Sequence, residues 1–131
     1  MRTTTFVALA FAGLLFTAVQ LSADAAKSDW IGEWSMNHDG FVGSLRIAGT
    51  KADCASPAWC DMAISYADRK GVRHAGRIGK IDEEGQHMLF FIDFPGNRQQ
   101  FDAYIFSWDK RKLAGTTLWG GRTFGFFATK R

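Results

Sequence analysis

An all-β protein, an eight-stranded antiparallel up-and-down barrel, is the fold class this sequence predicts, and three observations carry it. Turn signals recur every ten to fifteen residues. Fourteen glycines and 15% aromatic residues stand beside only two prolines, a composition of short strands and tight turns. The segments between the turns alternate apolar and polar residues with period two, as half-buried strands do. The 131 residues suffice for one domain, and no repeat or low-complexity tract divides them.

The N-terminus reads as an address. Met1 and Arg2 supply a positive start, and Phe6 to Val19 carries no charge. Ala23, Asp24 and Ala25 follow as a small-x-small cleavage pattern, the layout of a secretory signal peptide. The apolar run is short of the ~20 residues a membrane span needs. Residues 1–25 are therefore expected to be a signal peptide and 26–131 a single barrel domain, secreted or periplasmic, with no membrane span in the mature form.

The turns fall at Asp39-Gly40, the loop between Cys54 and Cys60, Lys70-Gly71, Glu83-Glu84-Gly85, Pro95-Gly96-Asn97, Asp109 to Lys112, and Gly120-Gly121. They separate eight predicted strands. In 30–37, Trp34 and Met36 share a face; in 41–48, Leu45 and Ile47 do. In 60–68, Met62, Ile64 and Tyr66 align, and in 73–81, His74, Gly76 and Ile78. Segment 87–94 sets Met88, Phe90, Ile92 and Phe94 on one face and Leu89 and Phe91 on the other. Segment 101–108 is apolar on both faces, and 113–119 and 123–129 complete the series. Closure removes the exposed edges an open sheet would leave, and eight strands enclose side chains or one small ligand. A two-sheet sandwich is the competing arrangement. Cys54 and Cys60, an even and closely spaced pair in an exported chain, are expected to form a disulfide.

Charge excludes some functions. Sixteen basic against thirteen acidic residues give a net +3, too little for a phosphate-tracking surface, so no nucleic-acid partner is expected. His38, His74 and His87 lie in separate segments without metal-ligand spacing, so no metal and no cofactor is expected. Asp82, Glu83 and Glu84 read as a solvated turn, and no nucleophile, phosphate-loop or dinucleotide motif occurs. The expectation is a protein that is not an enzyme.

Gly32-x-Trp34 at the start of an eight-strand meander resembles the opening of the calycins, the superfamily of avidins and lipocalins. The chain length and the stretch Thr116 to Gly120 are more similar to avidin-type barrels than to the longer lipocalins. The resemblance implies that Trp34 plugs one barrel end and that Lys130 or Arg131 stacks over it. It does not imply biotin binding. Met36 stands where avidins carry a ligand-binding Asn, Asn37 falls on the opposite face, and the late Asp is missing near Arg122.

The aromatic load sets the functional expectations: twelve Phe, five Trp and two Tyr. Core filling accounts for most of them. The leading expectation is an exported, non-enzymatic binding protein that holds a small, partly apolar ligand in a barrel cavity. Its candidate binding residues are Asn37, Tyr66, His74, Tyr104, Trp108 and Trp119, aromatic walls with a few polar atoms. The alternative is a protein-interaction or inhibitor module that uses an outer aromatic face. Leu89, Phe91, Phe101 and Ile105 are expected on that face, as contacts for a homodimer or another protein.

Overall fold

The computed structural model describes residues 25–49, 62–82 and 84–131. Cys54 and Cys60 lie outside the described residues, as does the expected signal segment through residue 24. A four-residue helix, α1 (Lys27–Trp30), leads into eight strands: β1 (Gly32–His38), β2 (Phe41–Gly49), β3 (Met62–Asp68), β4 (Arg73–Ile81), β5 (His87–Phe94), β6 (Asn97–Ile105), β7 (Lys112–Trp119) and β8 (Arg122–Lys130). Each strand pairs antiparallel with the next, and β8 returns to β1 from Trp34↔Lys130 to His38↔Phe126, closing the barrel. This is the all-β meander barrel that the turn spacing predicts, and it is compatible with a calycin-like fold. Among the described residues no helix is long and apolar enough to cross a membrane.

Turn chemistry fixes the registers. Asp39 and Gly40 both take positive φ, 52° and 89°, the primed turn that matches strand twist. It sets His38 opposite Phe41 and therefore Trp34 opposite Leu45. Pro95 and Gly96 likewise leave Phe94 opposite Asn97, so β6 begins four residues earlier than its apolar pattern suggests.

That register corrects the expected outer face. With Phe94 opposite Asn97, Phe101 falls opposite Phe90 and Ala103 opposite Met88, so all four face inward. Phe101 and Ile105 are core residues, 1% and 2% exposed, and not interface residues. Gln100, Asp102 and Tyr104 take the outer positions. Leu89 and Phe91 do lie on the outer side, half-buried, with the Arg77 guanidinium 4.9 Å from the Phe91 ring centroid.

The middle of the barrel is filled. Phe90 stacks on Phe101 at 4.9 Å between ring centroids, and Phe126 meets Phe101 edge-on at 5.3 Å. Met36, Leu45, Ile47, Met88, Ile92 and Leu113 pack around them, all essentially sealed from solvent. Close packing constrains Gly115 on β7, where any Cβ would collide with the Asp102 carbonyl of β6.

One end is plugged. Trp30 of α1 and Trp34 of β1 are both fully buried. The Trp34 indole N–H donates to the Trp30 carbonyl at 3.0 Å, and the Trp30 indole N–H donates to Gly85 at 2.6 Å. Lys130 Nζ sits 4.8 Å from the Trp34 ring and donates to the Asp29 and Ile31 carbonyls. The amine stacking over Trp34 is therefore Lys130.

Candidate functional site

Four tight hairpin turns, β1–β2, β3–β4, β5–β6 and β7–β8, gather at the opposite end because the chain runs strictly up and down. Inward positions there carry polar side chains instead of apolar ones. His38 ends β1, Tyr66 lies on β3, His74 on β4, Gln99 on β6 and Thr117 on β7. His38, Tyr66, Gln99 and Thr117 are all buried.

They form one hydrogen-bonded chain. Thr117 Oγ1 donates to the Gln100 carbonyl at 2.7 Å and accepts from Gln99 Nε2 at 2.8 Å. The same amide nitrogen is 3.5 Å from His38 Nδ1, and His38 Nε2 is 3.2 Å from the Tyr66 hydroxyl. Both ring nitrogens of His38 are thus engaged, one by the Gln99 amide and one by the Tyr66 hydroxyl. The Tyr66 hydroxyl, which can both donate and accept, ends the chain. Gly43 makes room for this phenol: a Cβ at that position would overlap the Tyr66 ring.

A second pair lies beside the first. His74 Nε2 is 3.3 Å from Asp68 Oδ2, while the backbone N–H groups of Lys70 and Val72 donate to Asp68 Oδ1 at 2.9 and 3.0 Å. Desolvation opposes the Asp68 charge, but the His74 and backbone hydrogen bonds prevail and hold its carboxyl below the usual range. Burial lowers the His38 pKa, against the pull of Asp39, and keeps the imidazole neutral. Burial, with the nearby Asp68 charge, raises Tyr66 above the ordinary phenol. The buried layer therefore holds neutral donors and acceptors at pH 7.

Aromatic rings rim this layer. Phe94 lies 4.7 Å from His74, 5.8 Å from Tyr66 and 5.7 Å from Trp119, centroid to centroid. Phe41 stacks on His38 at 5.7 Å while remaining 69% exposed, and Trp119 is 40% exposed. This arrangement, the cup, is a rim of partly exposed aromatic rings over a buried polar layer, with the Phe90–Phe101–Phe126 stack packed against it.

Of the six residues expected to bind a ligand, Tyr66, His74 and Trp119 come together here. Asn37 lies on the outer face, where its Oδ1 accepts from the Gly40 N–H at 2.8 Å and shapes the turn. Tyr104 lies on the outside of β6, stacked on His87 at 4.5 Å, and His87 in turn bonds Asp102. Trp108 stands in the β6–β7 loop at the plugged end, stacked on Phe106 at 5.4 Å. The sequence reading missed His38, Gln99 and Thr117. Their signal was parity: counting back from the Pro95-Gly96 turn sets Gln99 beside Ile92 on the inner face.

Among the described residues no group of three His, Cys, Asp or Glu is placed to hold a metal. Compared with family models, curated proteins and solved structures, the chain matches none.

Proposed function

We propose that this chain is an exported, non-enzymatic binding protein, a calycin-like barrel that holds a small, partly apolar ligand in the cup at its tight-turn end. The observation that carries the proposal is the buried layer His38–Tyr66–Gln99–Thr117 beneath the partly exposed rings of Phe41, Phe94 and Trp119. Apolar walls with a few fixed polar atoms are what small-ligand sites are made of. The Tyr66 hydroxyl, at the end of the chain of hydrogen bonds, is the polar atom a ligand would meet.

Native mass spectrometry of the exported protein from its own host tests this. The expected result is an adduct that persists under gentle ionisation and is lost in Trp119→Ala. A bare chain mass for the wild type, with no adduct at any collision energy, overturns it.

A second reading, an interaction module or homodimer, draws on the outer surface. Val42, Asn37, Phe127, Ala114 and Tyr104 form one cross-strand row over five strands, with Phe127 and Tyr104 each more than half exposed. This row takes the place of the expected Phe101 and Ile105 contacts. Sedimentation as a dimer at micromolar concentration, without a bound small molecule, would favour it.

A further inference from the structure

The rim of the cup carries an imbalance of charge that the buried layer does not. Residues 38–41, 68–73, 93–98 and 119–122, the four turns with their flanks, hold five basic side chains, Arg69, Lys70, Arg73, Arg98 and Arg122, against Asp39, Asp68 and Asp93. Arg98 and Asp93 neutralise each other at 2.6 Å. Asp68 is spent on His74 and two backbone N–H groups. Among the described residues Arg69, Lys70 and Arg122 form no ion pair, nor does Arg73, which alternates with inward His74 and so faces outward. Arg122 is the cation placed most directly, because it pairs across the last hairpin with Trp119 of the aromatic wall.

Depth limits the ligand as firmly as charge does. The Phe90–Phe101–Phe126 stack packs directly against the polar layer, with the Phe101 ring 5.6 Å from His38 and Phe126 the cross-strand partner of His38. A long chain therefore has nowhere to go, whereas a flat ring can lie against Phe94 and Trp119. The floor beneath it is neutral and hydrogen-bonding, so any ligand charge must be met at the rim.

Resting on the binding reading above, we infer that the cup takes a small planar anion, an aromatic or conjugated carboxylate. Its ring lies against Phe94 and Trp119, its charge is held by the rim guanidinium groups with Arg122 foremost, and the Tyr66 hydroxyl donates to its polar edge. Complementary charge at a partly solvated rim selects among ligands more than it adds raw affinity. The anion should therefore exceed its uncharged isostere by about tenfold at low salt, the factor supplied by roughly 1.4 kcal/mol of rim electrostatics.

Isothermal titration calorimetry of the full mature chain with naphthoate and with the matched neutral naphthamide tests the inference. Naphthoate is expected to bind about tenfold tighter, with the gap narrowing as salt screens the rim. Arg122→Gln should close most of that gap and leave naphthamide affinity unchanged, while Trp119→Ala should weaken both probes. Equal affinity of the two probes overturns the anion inference and leaves the cup as a binding site. Binding of neither probe overturns both. Naphthoate binding that survives Trp119→Ala undiminished would place the anion elsewhere on the surface and overturn the inference.

Discussion

Lys130→Met tests the plugged end, because three interactions converge on one amine. Its Nζ lies 4.8 Å from the Trp34 ring, donates to Ile31 at 3.0 Å and also donates to Asp29. Desolvation lowers the Lys130 pKa, Arg111 adds to that effect and Asp29 opposes it, so the ammonium is held where water only partly serves it. Methionine keeps the apolar stem that packs over Gly32 and removes the charge. A charged hydrogen bond is worth about 1.5–3 kcal/mol and a cation–π contact about 0.5–2. The terms share one amine and are offset by the relief of desolvation, so the net loss expected is about 2–4 kcal/mol.

Urea unfolding followed by tryptophan fluorescence should show a lower midpoint with an unchanged slope. A double-mutant cycle with Trp34→Leu should return a coupling of about 0.5–2 kcal/mol. A loss under about 0.5 kcal/mol for Lys130→Met would mean that the amine is incidental and that the tryptophans hold the plug alone. It would refute the argument that charge organises this end.

Two further outcomes follow from the barrel itself. Gly115→Ala drives a Cβ into the Asp102 carbonyl, backbone that cannot rotate away. It should cost about 1–3 kcal/mol or more, read as a drop in melting temperature, and an unchanged melting temperature would mean that β6 and β7 are looser than they stand. His38, whose folded pKa lies below its ordinary 6.5, takes up its proton first in the unfolded chain. Its contribution is intact above pH 6.5 and is lost as pH falls from there toward its folded pKa. His38→Gln, which keeps polar partners for Tyr66 and Gln99, should flatten the wild-type decline in urea midpoint as pH falls below 6.5. Asp68, held low, adds its own loss only near and below its ordinary 3.8.

Strand number, meander order and most inward faces were legible because turn chemistry and alternation are local. Asp39-Gly40 and Gly120-Gly121 announce their hairpins, and Met88, Phe90 and Ile92 announce their face. Segment 101–108 was misjudged because a strand apolar on both sides carries no parity of its own. Its face is decided by the turn before it, through Phe94↔Asn97. The cup was legible only in part for a related reason. Tyr66 and His74 stand out as polar interruptions of apolar faces, whereas Gln99 sits in the polar run Asn97 to Gln100, where only the parity set by the Pro95-Gly96 turn marks it as inward. α1 was missed altogether: four residues carry too little periodicity, and what holds them is the Trp30–Gly85 bond across 55 residues.

The two ends of the barrel solve the same closure problem with different chemistry, and the difference is the strongest functional clue. At the plugged end, two buried indoles and one amine satisfy each other and the nearby carbonyls. At the other end, apolar residues at positions 38, 99 and 117 would have closed the core without a single hydrogen bond to satisfy. Replacing a buried polar cluster by well-packed apolar groups is often neutral or stabilising, so stability alone gives no reason for His38, Gln99 and Thr117 to be there. The layer's hydrogen bonds run from Thr117 through Gln99 and His38 and end on the Tyr66 hydroxyl. On the binding reading proposed above, a ligand meets this layer at Tyr66, beneath aromatic rings left partly open to water.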